Sequence, residues 1–360
     1  MTPEQFAGRV QKVRGVAARS GLERIVLSAP ASLSWLFSAR SHVPMTLDAA
    51  CCDVVIDAGE AKPTVIANAI EVPRLRDTEF AGLDLDWLEL PWSTDRRAAA
   101  AGFADAGSDS GLPGSTNVAA DIVALRRVLD DGHIRILTDV CRDTAAALTA
   151  AAPRLHPGMT EYQAAAVMVE ELMECELDPV CVFVGADGRG ERHRHPLPTS
   201  ARAEDSLMLV CCGRRQGLIA SATRFVFFNQ PAPVALDAYL RLLVVESAYL
   251  DASLPGTPIG KAFDAGAAEY ARQGFDPDEY TRHHQGGFSG FTPRDYPAHS
   301  ASTELLVENS VVAWNPSAAA WKVEDTSLVT ATGPLPLVDD GVWPTITAGS
   351  RRRPAPLVLS

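Results

Sequence analysis

The sequence lacks any apolar stretch that approaches the roughly 20 residues needed to cross a membrane. It is also short of positive charge, with 32 Lys and Arg residues against 45 Asp and Glu residues and a net charge of −13. This deficit argues against a nucleic-acid partner, whose phosphates require a basic face. The N-terminal residues 1–13 are polar and amphipathic, without the apolar segment of a signal peptide. We therefore expect a cytoplasmic protein that binds neither membrane nor nucleic acid.

The sequence also lacks a C-x-x-C pair, although it contains seven cysteines. The doublets Cys51-Cys52 and Cys211-Cys212 lie in hydrophobic runs, where free thiols are commonly buried. We expect no disulfide framework. A hydrophobic content of 47% with 21% charged residues is that of a globular protein, and 360 residues are enough for two domains.

The first hundred residues alternate between helical and strand patterns. The stretch from Pro3 to Gly21 carries apolar residues at helical spacing, namely Phe6, Val10, Val13 and Val16. The stretches "RIVLSAP", "CDVVIDAG" and "TVIANAIE" are typical of strands. Residues 98–116 are rich in Gly, Ser and Ala and are the best linker candidate. The pattern predicts an α/β domain over residues 1–112.

A second domain is predicted over residues 113–360. It opens with one long helix whose apolar stripe begins at Val118 and continues through Ile122, Leu125 and Leu129. Thr160 and Gln163 form a capping box at the start of the next helix. Strands follow, and the order of two helices and then strands is repeated once. This repetition predicts two similar α-β halves with a site between them, lined by strand residues.

Five motifs in the second domain carry a family resemblance. They are "HPGMTE", "RHRHPLPT", "GLIASATRF", "HHQGGFSG" and "KVEDTSLVT". In this order and spacing they resemble the pita-bread fold of methionine aminopeptidase, Xaa-Pro aminopeptidase, prolidase and creatinase, over residues 117–334. With the N-terminal domain included, the whole chain looks like the two-domain creatinase and prolidase branch. The resemblance implies an α/β (α+β) protein with a pita-bread C-terminal domain of two pseudo-symmetric halves.

Peptidases of this family use two Asp, one His and two Glu as metal ligands, and the resemblance places other residues at four of these positions. The two Asp positions fall on Cys211 and Ser221, the His on Gly287, and the first Glu on Asn315. The second Glu is retained as Glu324. Two divalent ions need several anionic oxygens, which one carboxylate cannot supply. We therefore predict that this chain has no metal ligands of this kind and no cofactor.

The resemblance also identifies candidate catalytic residues that do not need a metal. His195 matches the catalytic histidine of creatinase, and histidine titrates near neutrality. His283 lies where Xaa-Pro aminopeptidases also carry a histidine. Glu324 is either a general base or one half of a structural ion pair. Cys211 is a candidate nucleophile if a nearby cation lowers its pKa, and otherwise an inert core residue.

Candidate substrate-binding residues come from the same motifs and their neighbours: Arg224, Arg294, Lys322, Asn315, Ser221 and Trp314. For two of these the alternative is structural, because Arg224 could hold Glu324 or a strand carbonyl and Trp314 could belong to the core. Three of these residues are cations, and most of the family's acidic ligands are missing near them. We therefore expect a small neutral or anionic ligand. Creatinase has a glutamate at the positions of Ser221 and Asn315, and these two look like the groups that hold the guanidinium of creatine. Because both are absent here, we do not expect creatine to be the substrate.

Three functions remain open from the sequence. The first is a metal-independent, creatinase-like enzyme that hydrolyses a C–N bond of the amide type, with His195 as acid and base. The second is a catalytically inactive pita-bread protein that binds a small ligand or a partner. The third is an Xaa-Pro aminopeptidase with residual metal. An enzyme should keep a closed, hydrated cavity with His195 and Glu324 directed into it, whereas a binding protein could fill it with Phe288 and Trp314. The resemblance also implies a homodimer.

Overall fold

The computed structural model of the chain describes residues 1–43, 49–103, 105–349 and 351–359. The internal contacts divide the chain into two compact units, Met1–His133 and Ile134–Ser360. Within the described residues, none of the helices combines the length and the apolar character that a membrane crossing requires.

The first unit is a mixed sheet with flanking helices. Its helices are α1 Pro3–Arg19, α2 Pro30–Phe37, α3 Val72–Arg74, α4 Arg96–Ala101 and α5 Ala119–Arg127. Its strands are β1 Arg24–Leu27, β2 Cys52–Asp57, β3 Thr64–Asn68, β4 Asp86–Leu90, β5 Ala106–Ser108 and β6 Thr116–Asn117. They are ordered β4-β3-β2-β1-β5-β6 in the sheet. The predicted α/β character of this part is confirmed.

Helix α1 forms as the apolar spacing predicts. Phe6, Val10, Val13 and Val16 are all buried along one face of the helix. Thr2 accepts a hydrogen bond from the backbone N–H of Gln5, whose side chain accepts one from the N–H of Thr2 in return. This capping box satisfies two amides that the first turn would otherwise leave without partners.

The predicted linker is wrong, because the described residues of this stretch, 98–103 and 105–116, belong to the first compact unit. Strand β5 lies within them, is buried, and pairs in parallel with β1 so that Gly107 lies opposite Ile25. A Cβ atom at Gly107 would lie 2.7 Å from Cδ1 of Ile25, so the small residues reflect close packing. Helix α5 packs against α1 and α2, which explains why the unit extends to His133, beyond the predicted boundary at residue 112.

The second unit contains the remaining elements. Its helices are α6 Asp131–Ala151, which begins just before the boundary, α7 Glu161–Glu174, α8 Pro233–Asp251 and α9 Ile259–Arg272. Its long strands are β7 Asp178–Ala186, β8 Ser206–Arg215 and β9 Leu218–Phe227. Its short strands are β10 Gly286–Ser289, β11 Tyr296–Pro297, β12 Val311–Trp314, β13 Ser317–Ala318, β14 Trp321–Lys322, β15 Asp325–Thr330, β16 Gly333–Pro336, β17 Thr345–Ala348, β18 Arg351–Pro354 and β19 Leu357–Val358.

The predicted long helix from Val118 is interrupted, and this corrects the expectation. Val128 adopts an extended conformation, and α5 ends before it. The Asp130 carboxylate accepts a hydrogen bond of 2.9 Å from the backbone N–H of His133 and so caps the start of α6. The second predicted capping box is confirmed, since Thr160 and Gln163 hydrogen-bond to each other's backbone N–H.

The second unit consists of two halves joined through one sheet. Its strand order is β11-β10-β12-β15-β9-β8-β7. The helices α6 and α7 precede β7–β9, and α8 and α9 precede β10–β15, as the repeated order in the sequence predicts. The halves meet where β9 and β15 pair at Ala222 and Asp325. A cavity is lined by residues of β7, β8 and β9 from the first half and by residues of β14 and neighbouring loops from the second half.

Candidate functional site

A cavity of about 200 Å³ lies beside the junction of the two halves. Its polar and charged lining comprises Cys181, His195, Cys212, Ser221, His284, Arg294, Asn315, Lys322 and Glu324. Its apolar lining comprises Val180, Phe183, Val210 and Pro293. The structure thus brings together His195, Ser221, Arg294, Asn315, Lys322 and Glu324 of the residues proposed from the sequence. A cavity of this volume suits a small ligand.

Strand register decides which thiol faces the cavity. Cys212 lies opposite Ser221 across β8 and β9, and Sγ of Cys212 is 3.3 Å from Oγ of Ser221. Because side chains alternate along a strand, Cys211 points to the other face of the sheet, opposite Ala222. Burial raises the pKa of the Cys211 thiol well above its usual range. The expectation that Cys211 is a nucleophile in this cavity is therefore corrected.

Glu324 is held by two cations. Lys322 Nζ lies 2.9 Å from Oε2 of Glu324, and Nη2 of Arg294 donates to Oε1. Burial opposes ionisation of the carboxyl group, but the charges of Lys322 and Arg294 hold its pKa well below its usual range. A carboxylate so stabilised is a weak base, so these contacts favour the structural ion pair of the two alternatives.

Three imidazoles lie close together and form what we call the histidine cluster: His195 and His284, which line the cavity, and His283, which contacts His195. His195 lies in the loop between β7 and β8, and the other two lie between the short helical turn Glu279–Arg282 and β10. Nε2 of His195 is 3.0 Å from Nε2 of His283. The His195 ring also stacks on Phe183 with centroids 4.9 Å apart, which fixes its plane.

The rings of the histidine cluster are held in the neutral form. The pKa of His195 is lowered mainly by partial burial and, to a smaller extent, by the charge of Lys322. The same two causes lower the pKa of His283 to about 2. Burial and the charge of Arg294 lower the pKa of His284 to about 4. With two neutral rings, the contact between His195 and His283 is a hydrogen bond in which one Nε2 donates and the other accepts.

Asn315 presents an unsatisfied group at the cavity. It follows β12, its backbone N–H donates to the carbonyl of Gln285, and its side chain is 1% exposed. Its Oδ1 atom is buried without a hydrogen-bond partner. A buried acceptor of this kind costs free energy unless a ligand or water completes it. Asn315 therefore fits a role in ligand binding.

Two of the proposed binding residues lie outside the cavity. Arg224 is on the other face of β9, where it donates to Asp325 Oδ1 at 2.7 Å and to the carbonyl of Val338 at 2.9 Å. Trp314 is in the core, where it donates to Ser253 Oγ at 3.0 Å and stacks on Tyr249. The substrate-binding role expected of both residues is corrected, because their side chains are committed to structural contacts.

The residues at the family's metal positions do not fit two divalent ions. Both oxygens of Glu324 bind cations, and Ser221 and Asn315 carry no charge. Gly287 has φ of +145°, and a Cβ atom there would lie 2.2 Å from the carbonyl oxygen of Tyr296. A histidine therefore could not occupy this position without moving the backbone. The family's carboxylate-bridged metal centre has no basis in this donor set.

The sequence interpretation missed Cys212, Cys181 and His284. A signal for Cys212 was available in the turn at Gln216-Gly217, where both residues have positive φ. A two-residue turn of this kind fixes the hairpin register and pairs Cys212 with Ser221. Cys181 lies opposite Cys212 on the next strand, which only the β7–β8 register reveals. His284 lies within the motif "HHQGGFSG", but at a position to which the resemblance assigns no role.

The fold defines this chain as a two-domain protein of the pita-bread class, and solved structures agree. The dipeptidase PepE of Mycobacterium ulcerans is 19% identical, with 99% of each chain covered and a TM-score of 0.78. The prolidase of Pyrococcus horikoshii OT3 is 16% identical, with 92% of this chain and 98% of that chain covered and a TM-score of 0.76. The X-Pro aminopeptidase of Thermotoga maritima MSB8 is 13% identical, with 97% and 99% covered and a TM-score of 0.76.

Sequence comparison identifies the family itself. Residues 135–331 match the sequence profile of metallopeptidase family M24, and the chain therefore belongs to this family. None of the curated proteins compared with the chain gives a match. The solved structures are too distant in sequence to show more than the fold.

Proposed function

We propose that this protein is a hydrolase that cleaves a C–N bond of a small neutral or anionic molecule without the dinuclear metal centre of its family, in the manner of creatinase. The observation that carries the proposal is the hydrogen bond of 3.0 Å between His195 and His283 beside an open cavity. This pair can accept and return a proton. Glu324, the one residue retained from the family's metal ligands, is held in ion pairs with Arg294 and Lys322.

The proposed reaction uses His195 as both base and acid. A neutral imidazole takes a proton from water as the water oxygen bonds to the substrate carbon. The same proton then passes to the nitrogen as the C–N bond breaks, so the enzyme returns to its starting state. His283 orients His195 through their hydrogen bond, and Phe183 holds the plane of the ring.

The charges of the cavity favour a neutral or anionic ligand. Lys322 and Arg294 supply two positive charges and Glu324 one negative charge, which leaves a local excess of one positive charge. An organic cation, which forms no coordinate bonds, would be repelled, whereas a carboxylate or a polarised carbonyl oxygen would be attracted. The amide of Asn315, with its unpaired Oδ1, supplies an acceptor for an N–H group of the ligand.

A binding protein without catalysis is the second candidate, and it is favoured by the loss of four of the five family ligands. The cavity weighs against it, because neither Phe288 nor Trp314 fills it. Phe288 and Trp314 are buried in the core cluster under the sheet and leave the cavity free. An Xaa-Pro aminopeptidase with residual metal is disfavoured because Glu324 is already neutralised by cations.

The test is hydrolysis of a panel of small amides with and without a chelator. The panel contains uncharged amides, anionic N-acyl amino acids, and an Xaa-Pro dipeptide that represents the peptidase alternative. We expect turnover of an uncharged or anionic member in chelator and a loss of about 100-fold or more in His195→Ala. The control is His193→Ala, which changes an exposed histidine two residues away.

Two results would contradict the proposal. Activity that disappears in chelator and returns with metal would restore the peptidase alternative. Tight binding of a panel member without turnover, undiminished in His195→Ala, would support the binding protein.

We also propose that the protein is a cytoplasmic homodimer, as the family resemblance implies. Light scattering coupled to size-exclusion chromatography should give twice the mass of one chain. A concentration-independent monomer would contradict this proposal.

A further inference from the structure

The histidine cluster has the spacing of a metal site that differs from the family's own. Each of its three rings offers one nitrogen, and these atoms lie within 4.8 Å of one another. Among the residues that the structure describes, no other group of three or more His, Cys, Asp or Glu side chains has this spacing. None of the three occupies a position that the family's five ligands match.

The geometry requires little movement to accept an ion. Zinc binds histidine nitrogens at about 2.0–2.1 Å, so two nitrogens of a tetrahedral site lie about 3.4 Å apart. The Nε2 atoms of His195 and His283 are already 3.0 Å apart. An ion between them would take the place of the shared proton, and the ring that had donated it would carry its proton on Nδ1 instead. The rings of His283 and His284 are adjacent, with centroids 4.4 Å apart.

The surroundings leave a coordination position open. His195 and His284 are exposed, so water or another small ligand can reach an ion held by the cluster. Three histidines with an open fourth position are an established zinc arrangement.

The donor atoms of the histidine cluster and the charges around it determine which ions it can bind. The groups that face the cluster are Lys322, Arg294 and Glu324, with an excess of one positive charge. The cluster itself contains no carboxylate, so Mg²⁺, Ca²⁺ and Mn²⁺, which prefer oxygen ligands, are poor candidates. Imidazole nitrogens suit Zn²⁺, Ni²⁺ and Cu²⁺. The positive surroundings also favour an anion as the fourth ligand.

We propose that His195, His283 and His284 bind one divalent transition-metal ion such as Zn²⁺, and that the bound ion inhibits hydrolysis. The inhibition rests on the proposed function, because an ion between the two Nε2 atoms replaces the hydrogen bond by which His283 orients His195 for proton transfer. The metal site stands on geometry alone. The chain would thus have lost the family's carboxylate site and acquired a histidine site that regulates the same cavity.

The test is calorimetric titration of Zn²⁺ into metal-free protein, with Co²⁺ absorption as a second readout. We expect one ion per chain. In His284→Ala the affinity should fall by more than about 100-fold, because the loss of a residue that only supports a ligand already costs about 10- to 100-fold and His284 is itself a ligand. His283→Ala provides a second test if one variant folds poorly. His193→Ala is the matched control and should bind as the wild type does. Mg²⁺ should not compete.

The possible outcomes separate this inference from the proposed function. Absence of Zn²⁺ binding, or binding that survives in both cluster variants and disappears in Glu324→Gln, overturns the metal site. Binding at the cluster without any hydrolysis by the metal-free protein supports the site and removes the proposed function. Stimulation of hydrolysis by stoichiometric Zn²⁺ overturns the inhibition.

Discussion

Lys322 Nζ lies 2.9 Å from Oε2 of Glu324, and each of these side chains is only 4% exposed. The second oxygen of the carboxylate accepts from Arg294. The single carboxylate retained from the family's ligands is therefore the centre of a buried ionic group. Its charge stabilises two cations of this chain and is not free for an added metal ion.

Removing Lys322 should destabilise the protein. Lys322→Ala leaves a buried carboxylate with one cation in place of two, and breaking a buried pair costs about 3 kcal/mol. Urea denaturation should show this loss in the free energy of unfolding. The control is Lys261→Ala, whose ammonium is 3.7 Å from Asp264 on the surface, and which should cost less than about 1 kcal/mol. Equal losses in the two variants would contradict the buried ionic group.

The histidine cluster should titrate at unusually low pH. Burial and the charges of Lys322 and Arg294 disfavour the protonated rings, so we expect His195, His283 and His284 to stay neutral at pH 7. Proton transfer needs neutral His195, and hydrolysis should therefore fall only as the pH drops below 6.5, the ordinary histidine pKa. Titration of the ring signals by NMR measures this directly.

Lys322→Met should move the His195 titration to higher pH. The variant removes a positive charge and leaves Glu324 less neutralised, and both changes favour protonated imidazole. An unchanged titration, or a wild-type His195 pKa above 6.5, would show that these charges do not act on the cluster.

Introducing the family's metal-binding histidine at Gly287 should destabilise the fold. A Cβ atom there would lie 2.2 Å from the carbonyl of Tyr296, so even Gly287→Ala must displace the backbone. Gly290 is a matched control, since its φ of +134° is also positive but no atom lies within 4 Å of its would-be Cβ. We expect Gly287→Ala to cost about 1–3 kcal/mol more than Gly290→Ala in the free energy of unfolding. Similar losses of unfolding free energy in the two variants would contradict this, because they would show that the positive φ alone, and not the contact with Tyr296, determines the cost.

Local patterns predicted the elements better than their connections. The apolar spacing of Phe6 to Val16 predicted α1, and the repeated order of helices and strands predicted the two halves. Residues 98–116 were misjudged as a linker because Gly107 is small for close packing against Ile25, and sequence alone does not distinguish this use of glycine from flexibility. Cys211 was chosen over Cys212 because motif matching ignored the hairpin register.

The site was predictable in composition and only partly in contacts. The substitutions at the family's ligand positions were visible in the sequence, and so was the candidate His195. The pairing of Arg294 with Glu324 joins residues 30 positions apart, and the contact of His195 with His283 joins residues 88 apart. Such contacts arise from the packing of loops around the sheet junction, which no local pattern encodes.

The most direct test is the number of metal ions per chain, measured by mass spectrometry after saturation with Zn²⁺ or Mn²⁺ and removal of excess ion. The wild type and Glu324→Gln should each hold no more than one Zn²⁺ ion and no Mn²⁺, because Glu324 is not a ligand. His284→Ala should hold none. Two ions in the wild type, or an ion that is lost in Glu324→Gln and kept in His284→Ala, would show that the family's metal centre persists and would contradict the account.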